Sequence, residues 1–414
     1  MIITGHPPWP PTSGGRRREY ELIKRLAEDH EIQICAIDKN EGGGFERDLV
    51  DGPATGKVFG AERGKSGTAK ERAHSSEEAR RWIRHLLKAK RVDLVHCEGY
   101  FLHQLLPRSP NLPVVVGTQN VEYELNSQRL GLEDPGQMSI RRLVLYYERK
   151  RELQVLANAD RVIAVTKRDA EAFRQGGLNV DADVVPDGCD HLVSSFADVS
   201  EPTDLLFVGN FGYEPNRDAA AVLCNEIMPL VRRRRPETKL RLLGCEALER
   251  LALHSGPYTE LVGPVDSVGP HLATASIVVA PLRVGGGVKV KVLEALHAGC
   301  AIVGSSLAAQ GLEDHGGALI VEDDWGRFAN QVVDLLNRES LLVAQRRAAS
   351  IYASGLPRWD ESATLLSSLW AEVFPSAVSY THLRAHETVL DLVCRLLLDK
   401  KTLQSFSTVD MVTT

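Results

Sequence analysis

A chain of 414 residues, 43% hydrophobic and 25% charged, is long enough for two cores of ordinary globular composition. Its formal net charge of −6 gives no electrostatic pull toward nucleic acid, and seven scattered cysteines, never spaced Cys-x-x-Cys, argue against a disulfide framework or zinc knuckle and fit a reducing cytosol. With no run of eighteen apolar residues and no signal-peptide pattern, any membrane contact is expected to be peripheral.

In chain order, residues 1–4 read as a strand, followed by the rigid loop that carries His6 and the pair Gly14-Gly15. A helix is expected over 16–28 and a strand over 31–37, a βαβ opening. The polar stretch 39–80 contains Gly60 to Ser66, which falls one residue short of a P-loop: three residues separate its glycines where wrapping a phosphate needs four. A helix over 76–90 turns Trp82, Ile83, Leu86 and Leu87 inward, and a strand over 92–95 stops at His96-Cys97-Glu98.

Strands over 114–117, 161–165 and 184–186 run into Asn120 and Glu122, Thr166, and Asp187-Gly188. Ligands bind beyond the carboxyl ends of parallel strands, so His6, Gly14, Gly15, His96, Glu98, Asn120, Glu122 and Thr166 are expected on one rim. The serine- and aspartate-rich stretch 189–202 reads as a connection. Six further strands, over 205–208, 240–243, 260–262, 277–280, 301–303 and 318–321, alternate with helices. The cluster Arg232 to Arg235 ends one of those helices. The reading is α/β: two Rossmann-like halves, 1–198 and 199–375, facing each other across a cleft.

The stretch 285–299 organises the second half. An apolar strand closed by Pro281 leads to Gly285-Gly286-Gly287, then a helix from about Val288 that stops at Gly299. Glycines allow close backbone approach and a helix start offers free N–H groups, which together make an anion site. Lys289 is placed in the first turn, and Lys291 and Glu294 share one face, so lysine could meet phosphate while the carboxylate accepts from sugar hydroxyls. The alternative is structural: a solvated i,i+3 ion pair and a simple turn.

The ordered pieces PPWPPTSGG, DLVHCEGY, NVEYEL, ADRVIAVT, VVPDGCD, FVGNFGYEPNRDAA, PLRVGGGVKVKVLEALHAG and SSLAAQGLE, spread from Pro7 to about Val373, resemble the retaining nucleotide-sugar glycosyltransferases of family 4, which have the GT-B fold. The resemblance implies that the C-terminal half binds a nucleotide diphosphate. Glu294 would accept from ribose, Gly285, Gly286 and Gly287 would cradle phosphate, and Arg283 with Lys289 or Lys291 would supply charge. Gly14 and Gly15 would approach the donor from the other side, and His96 would act at the reacting centre. Asn120, Glu122, Asn210 and Arg217 are further candidates.

The chain departs from the family at Gly286, where many members carry a glutamate, and at Asn210 and Pro215, where many carry Arg and Lys. The implied reaction needs no metal and no cofactor beyond the nucleotide-sugar co-substrate: the acceptor, a glycan or glycolipid, attacks on the face from which the diphosphate leaves. Bacterial polysaccharide or glycolipid assembly in the cytoplasm, at the inner membrane face, is the expected setting. The rival readings are a nucleotide-sugar epimerase of the same fold and a non-catalytic nucleotide-sugar binder; an NAD dehydrogenase is disfavoured because no G-x-G-x-x-G follows the first strand.

A closing helix is expected over 359–374, with Leu365, Leu366, Leu369 and Trp370 at helical spacing, crossing back to the first half. Residues 376–414 read as a non-native tail resembling translated adaptor sequence, the rival being an amphipathic helix over 390–398 for a membrane surface or partner.

Overall fold

The computed structural model describes residues 1–39, 45–46, 54–108, 110–133, 138–192, 203–312 and 314–374. The tail at 376–414 and the boundary between the two expected halves, within 193–202, lie outside the described residues. One compact unit runs from Met1 to Trp370 and a second from Ala371 to Thr414, of which only residues 371–374, at the end of the closing helix, are described.

Eight strands form the first sheet: β1 (Ile2–Thr4), β2 (Gln33–Asp38), β3 (Phe45–Glu46), β4 (Thr55–Gly60), β5 (Val95–Glu98), β6 (Val114–Thr118), β7 (Arg161–Ala164) and β8 (Ala182–Val184). Six form the second: β9 (Asp204–Val208), β10 (Lys239–Leu243), β11 (Thr259–Val262), β12 (Ile277–Ala280), β13 (Ala301–Gly304) and β14 (Ile320–Val321). The orders are β3-β4-β2-β1-β5-β6-β7-β8 and β11-β10-β9-β12-β13-β14, parallel except for the β3–β4 pair. Helices cover both faces, which is why the central strands are continuous apolar runs such as Val114-Val115-Val116 and Ile277-Val278-Val279-Ala280, all buried. Each sheet has its own core, one around Ile3, Ile83 and Phe173, the other around Phe207, Val279 and Phe328.

Strand order reverses between β1 and β5 in one sheet and between β9 and β12 in the other. Loops leave in opposite directions at such a point and open a crevice beyond the strand ends. The reversals place the chain after β1, the end of β5, the loop after β9 and the glycine loop after β12 where a ligand would sit.

The strand expected over 92–95 lies three residues later, at Val95–Glu98, because β5 pairs with β1 in the register Ile2↔His96. His96 and Glu98 therefore lie inside the strand, on the face opposite Cys97. Ser13 caps the first helix, Gly14–Asp29, its Oγ accepting from Arg16 N, so Gly14 and Gly15 form its first turn and not the preceding loop.

The expected return crossing is present. The closing helix, Trp359–Glu372, begins where Asp190 Oδ1 accepts from Trp359 N at 2.9 Å and then lies along helix Gly14–Asp29. There Arg25 pairs with Asp360, and His30 Nε2 meets Ser367 Oγ at 2.7 Å. The same first helix is tied to the end of its sheet by Arg18, buried, whose Nη1 donates to Asp187 Oδ1 at 2.6 Å and Nη2 to the Val185 carbonyl at 2.9 Å.

Burial pushes the Asp187 carboxyl up, opposed by Arg18. Removing the guanidinium would strand that carboxylate, so Arg18→Met should lower stability to chemical denaturation by about 3–5 kcal/mol, and the double change Arg18→Met with Asp187→Leu should recover most of the loss.

Candidate active site

Two helix N-termini meet between the sheets. A Cβ added to Gly14, in the first turn of helix Gly14–Asp29, would lie 3.1 Å from Cγ2 of Val290, the first residue of helix Val290–His297. Both termini present free N–H groups and the positive ends of their dipoles to the same place.

The glycine loop closes over that place from the second half. Gly285 N donates to Gln128 Oε1 at 3.0 Å. With the Asn120 amide oriented by its neighbours, Nδ2 donates to the Gly286 and Gln119 carbonyls, each at 3.1 Å. A Cβ at Gly286 would stand 2.7 Å from the Asn120 amide, and one at Gly287, whose φ is +58°, 2.5 Å from the Gln119 carbonyl oxygen. The Asn120 side chain thus fills the space beside Gly286, the position at which the expected family pattern has a glutamate. Beside it, Gln310 Oε1, turned toward Arg168, accepts from Nη1 and Nε at 3.0 Å.

The helix expected from Val288 begins at Val290, with Lys289 as its N-cap. Lys289 is consequently not a first-turn side chain: its Nζ folds back to the Gly287 carbonyl at 2.5 Å and that of Gly286 at 3.2 Å, clamping the loop. Lys291 Nζ donates to Asn216 Oδ1 at 2.6 Å and stands 4.4 Å from the centre of the Phe207 ring. Glu294 Oε1 accepts from His191 Nε2 at 3.0 Å. Lys291 and Glu294 do not form the i,i+3 ion pair of the structural alternative; each turns to its own buried partner. Gly299, at φ +67°, ends the helix as expected.

The remaining candidates are each engaged by protein partners. Arg283 is exposed and held by Asp218 through Nε at 2.9 Å and through Nη2. Arg217 Nη1 donates to the Phe211 and Gly212 carbonyls at 2.8 Å, and Asn210 Oδ1 accepts from Gly212 N at 2.9 Å, so both knit the loop after β9. Glu122 pairs with Lys70, and Thr166 caps its helix by accepting from Asp169 N at 3.0 Å.

His96, expected at the reacting centre, is 1% exposed, and both its ring nitrogens face protein: Nδ1 accepts from Trp370 Nε1 at 3.0 Å and Nε2 faces Glu98 Oε1 at 3.2 Å. It lies under the closing helix, not on an open rim. Around it Glu19 meets His6 Nε2 at 3.1 Å and accepts from Gln119 Nε2 at 3.0 Å. Burial raises the Glu19 carboxyl, with His6 opposing. Burial acts on Glu98 in the same direction but is overcome by His96 and Arg18, which bring it down to about 2.

Sequence reasoning missed Gln119, Gln128, Asn216 and His191. Gln119 directly follows the end of β6 and could have been flagged by that position; Gln128 lies within the helix Glu122–Glu133 and carried no such signal. Asn216 sits inside a helix and His191 in a stretch read as connection, and neither carried a signal.

Burial, with their mutual repulsion added at Lys291, lowers both Lys289 and Lys291 from 10.5 to about 7. Between pH 7 and 10.5 the unfolded chain holds more protons on these groups than the folded one, so their contribution to stability rises with pH. An anion seated beside them restores the charged form. Sulfate affinity measured by calorimetry should fall between pH 7.5 and 8.5, by up to about tenfold if one proton is taken up on binding, with a buffer-dependent enthalpy reporting that uptake.

Two family models match, one on each sheet: glycosyl transferase 4-like domain over residues 13–188 and glycosyl transferases group 1 over 202–338. An uncharacterized 44.6 kDa protein in the cps region of Klebsiella pneumoniae is 26% identical over 141 residues, which is 32% of this chain and 36% of that protein, so the match spans about a third of the relative. Among solved structures, sucrose-phosphate synthase from Thermosynechococcus elongatus superposes with a TM-score of 0.64 at 15% identity, covering 91% of this chain and 99% of that one. Anabaena Alr3699/HepE in complex with UDP-glucose gives 0.64 at 12% identity over 90% and 99%. With both family models matched in order and the two-sheet architecture shared along nearly its whole length, the chain belongs to the group 1 glycosyltransferases and has their GT-B fold.

Proposed function

We propose that this glycosyltransferase moves a hexosyl group from a nucleotide-diphosphate sugar to a glycan or glycolipid acceptor, with retention and without a metal. The carrying observation is the meeting of two helix N-termini at Gly14 and Val290, with Lys291 in the first turn of the second. Converging dipoles and a buried ammonium favour a doubly charged leaving group and stabilise the charge that develops on it. The HepE structure with UDP-glucose supports a nucleotide-sugar donor for this fold.

In the proposed step the acceptor oxygen bonds to the anomeric carbon as the carbon–phosphate-oxygen bond breaks on the same face, and the acceptor proton passes to the departing phosphate oxygen. This course suits the local carboxylates. Glu19, Glu98 and Asp187 are buried and engaged by His6 with Gln119, by His96, and by Arg18, so none is offered as a covalent nucleophile. Glu294 is assigned to the ribose hydroxyls, and Asn120 to the donor-side space at Gly286.

No helix among the described residues is long and apolar enough to cross a membrane. Helix Met138–Ala157 exposes Leu143, Val144, Tyr146 and Tyr147 beside Arg142 and Lys150, a composition suited to an anionic lipid interface that would present a glycolipid. Leu143→Asp with Tyr146→Asp should release the protein from anionic vesicles in a sedimentation assay while leaving hydrolysis of free donor unchanged.

The decisive experiment incubates the protein with UDP-, GDP-, ADP- and dTDP-sugars, with and without acceptor and EDTA, and follows the anomeric configuration by NMR. Transfer with retention that survives EDTA is expected, and Glu294→Ala should weaken donor binding by about 1–3 kcal/mol. An epimerised donor sugar without acceptor, or binding without any turnover, would replace the proposal with the epimerase or the binder.

A further inference from the structure

The closing helix carries a tryptophan near each end, and each fixes a histidine. Trp370 Nε1 donates to His96 Nδ1 at 3.0 Å, and Trp359 Nε1 donates to His191 Nδ1 at 3.1 Å. An indole N–H only donates, so each Nδ1 must be a bare acceptor and each neutral imidazole carries its proton on Nε2. Each Nε2 then faces a glutamate, Glu98 Oε1 at 3.2 Å and Glu294 Oε1 at 3.0 Å.

The second chain is built into its surroundings. Trp359 is fully buried, and the His191 and Glu294 side chains are 5% and 11% exposed. A Cβ at Gly188 would lie 2.5 Å from Trp359 N, so the loop passes directly against the helix start, and Asp190 accepts from that same N–H. On the other side, His297 Nε2 meets the Leu192 carbonyl at 3.1 Å. The loop holding His191 is thus locked between the closing helix and helix Val290–His297.

We propose that His191 is a positioning residue for nucleotide recognition: kept in one tautomer by Trp359, it holds the Glu294 carboxylate in the orientation that accepts from ribose hydroxyls. The proposal rests on the assignment of Glu294 to ribose made above. A neutral N–H donor on Oε1 fixes the carboxylate plane without the competing ion pair that Lys291, bound to Asn216, would have made. Oε2 keeps no protein hydrogen-bond partner among the described residues and is the acceptor left for ligand. With the other tautomer, a lone pair on Nε2 would face the carboxylate and push it away.

The test compares UDP with 2′,3′-dideoxyuridine diphosphate by calorimetry in the full chain, using the GDP or ADP pair if one of those binds more tightly. Wild type should prefer the ribose form, and Glu294→Ala should abolish that preference. His191→Phe, which fills the space without an N–H, should reduce the preference about tenfold or more and leave the dideoxy affinity unchanged. His191→Gln, which can restore a donor, should recover part of it, and Trp359→Phe should shift it in the same direction as His191→Phe. Should His191→Phe not fold, the Trp359→Phe result decides. Full preference in His191→Phe or, in that event, in Trp359→Phe, alongside its loss in Glu294→Ala, overturns the positioning role while the Glu294 assignment stands. Full preference in Glu294→Ala, or none in wild type, removes both.

Discussion

Two helices begin at the same point in space, and much of the site follows from that. Helix Gly14–Asp29 comes from the first switch point and helix Val290–His297 follows the glycine loop of the second, and they touch at Gly14 and Val290. Like dipole ends repel, so this approach is stable only if backbone groups and side chains satisfy the exposed N–H groups or an anion joins them. The protein supplies part of the answer through Ser13, which caps one helix, and Lys289, which folds onto the loop carbonyls before the other. Burial of two lysines with depressed proton affinity is the electrostatic cost of an arrangement suited to an anion.

The closing helix makes the two sheets mutually dependent. It starts on a loop packed against the second half and ends over β5 of the first, and its indoles reach one histidine on each side. His96 is therefore held between Trp370 and Glu98, buried under the closing helix. Its expected strand end put His96 on the rim and the family resemblance put it at the reacting centre; the strand runs three residues further, through Glu98, so His96 lies within it, beneath a helix.

The glycine loop illustrates how a departure from a family pattern finds its reason. Gly286 lacks the expected side chain, and the Asn120 amide fills the space beside it, donating to the Gly286 carbonyl. Likewise the arginines that the family resemblance nominated, Arg217 and Arg283, are engaged by loop carbonyls and by Asp218, while Lys291 is held by Asn216. A motif match does not reveal which of the nearby charges are already neutralised.

Local physics was legible in the residues. Parallel strands buried on both faces are continuous apolar runs, glycine after a periodic segment stops a helix, and an alternation of such runs with amphipathic helices forces a doubly wound sheet, so the fold class and the order strand, glycine loop, helix over 277–299 could be read directly. Partner choice could not. Whether Lys291 meets Glu294 or Asn216, whether His96 faces a ligand or Trp370, and that His191 in an apparent connection holds Glu294, depend on contacts between segments as much as 274 residues apart. Those pairings are set by sheet register and by where the closing helix lies, and no local pattern encodes either.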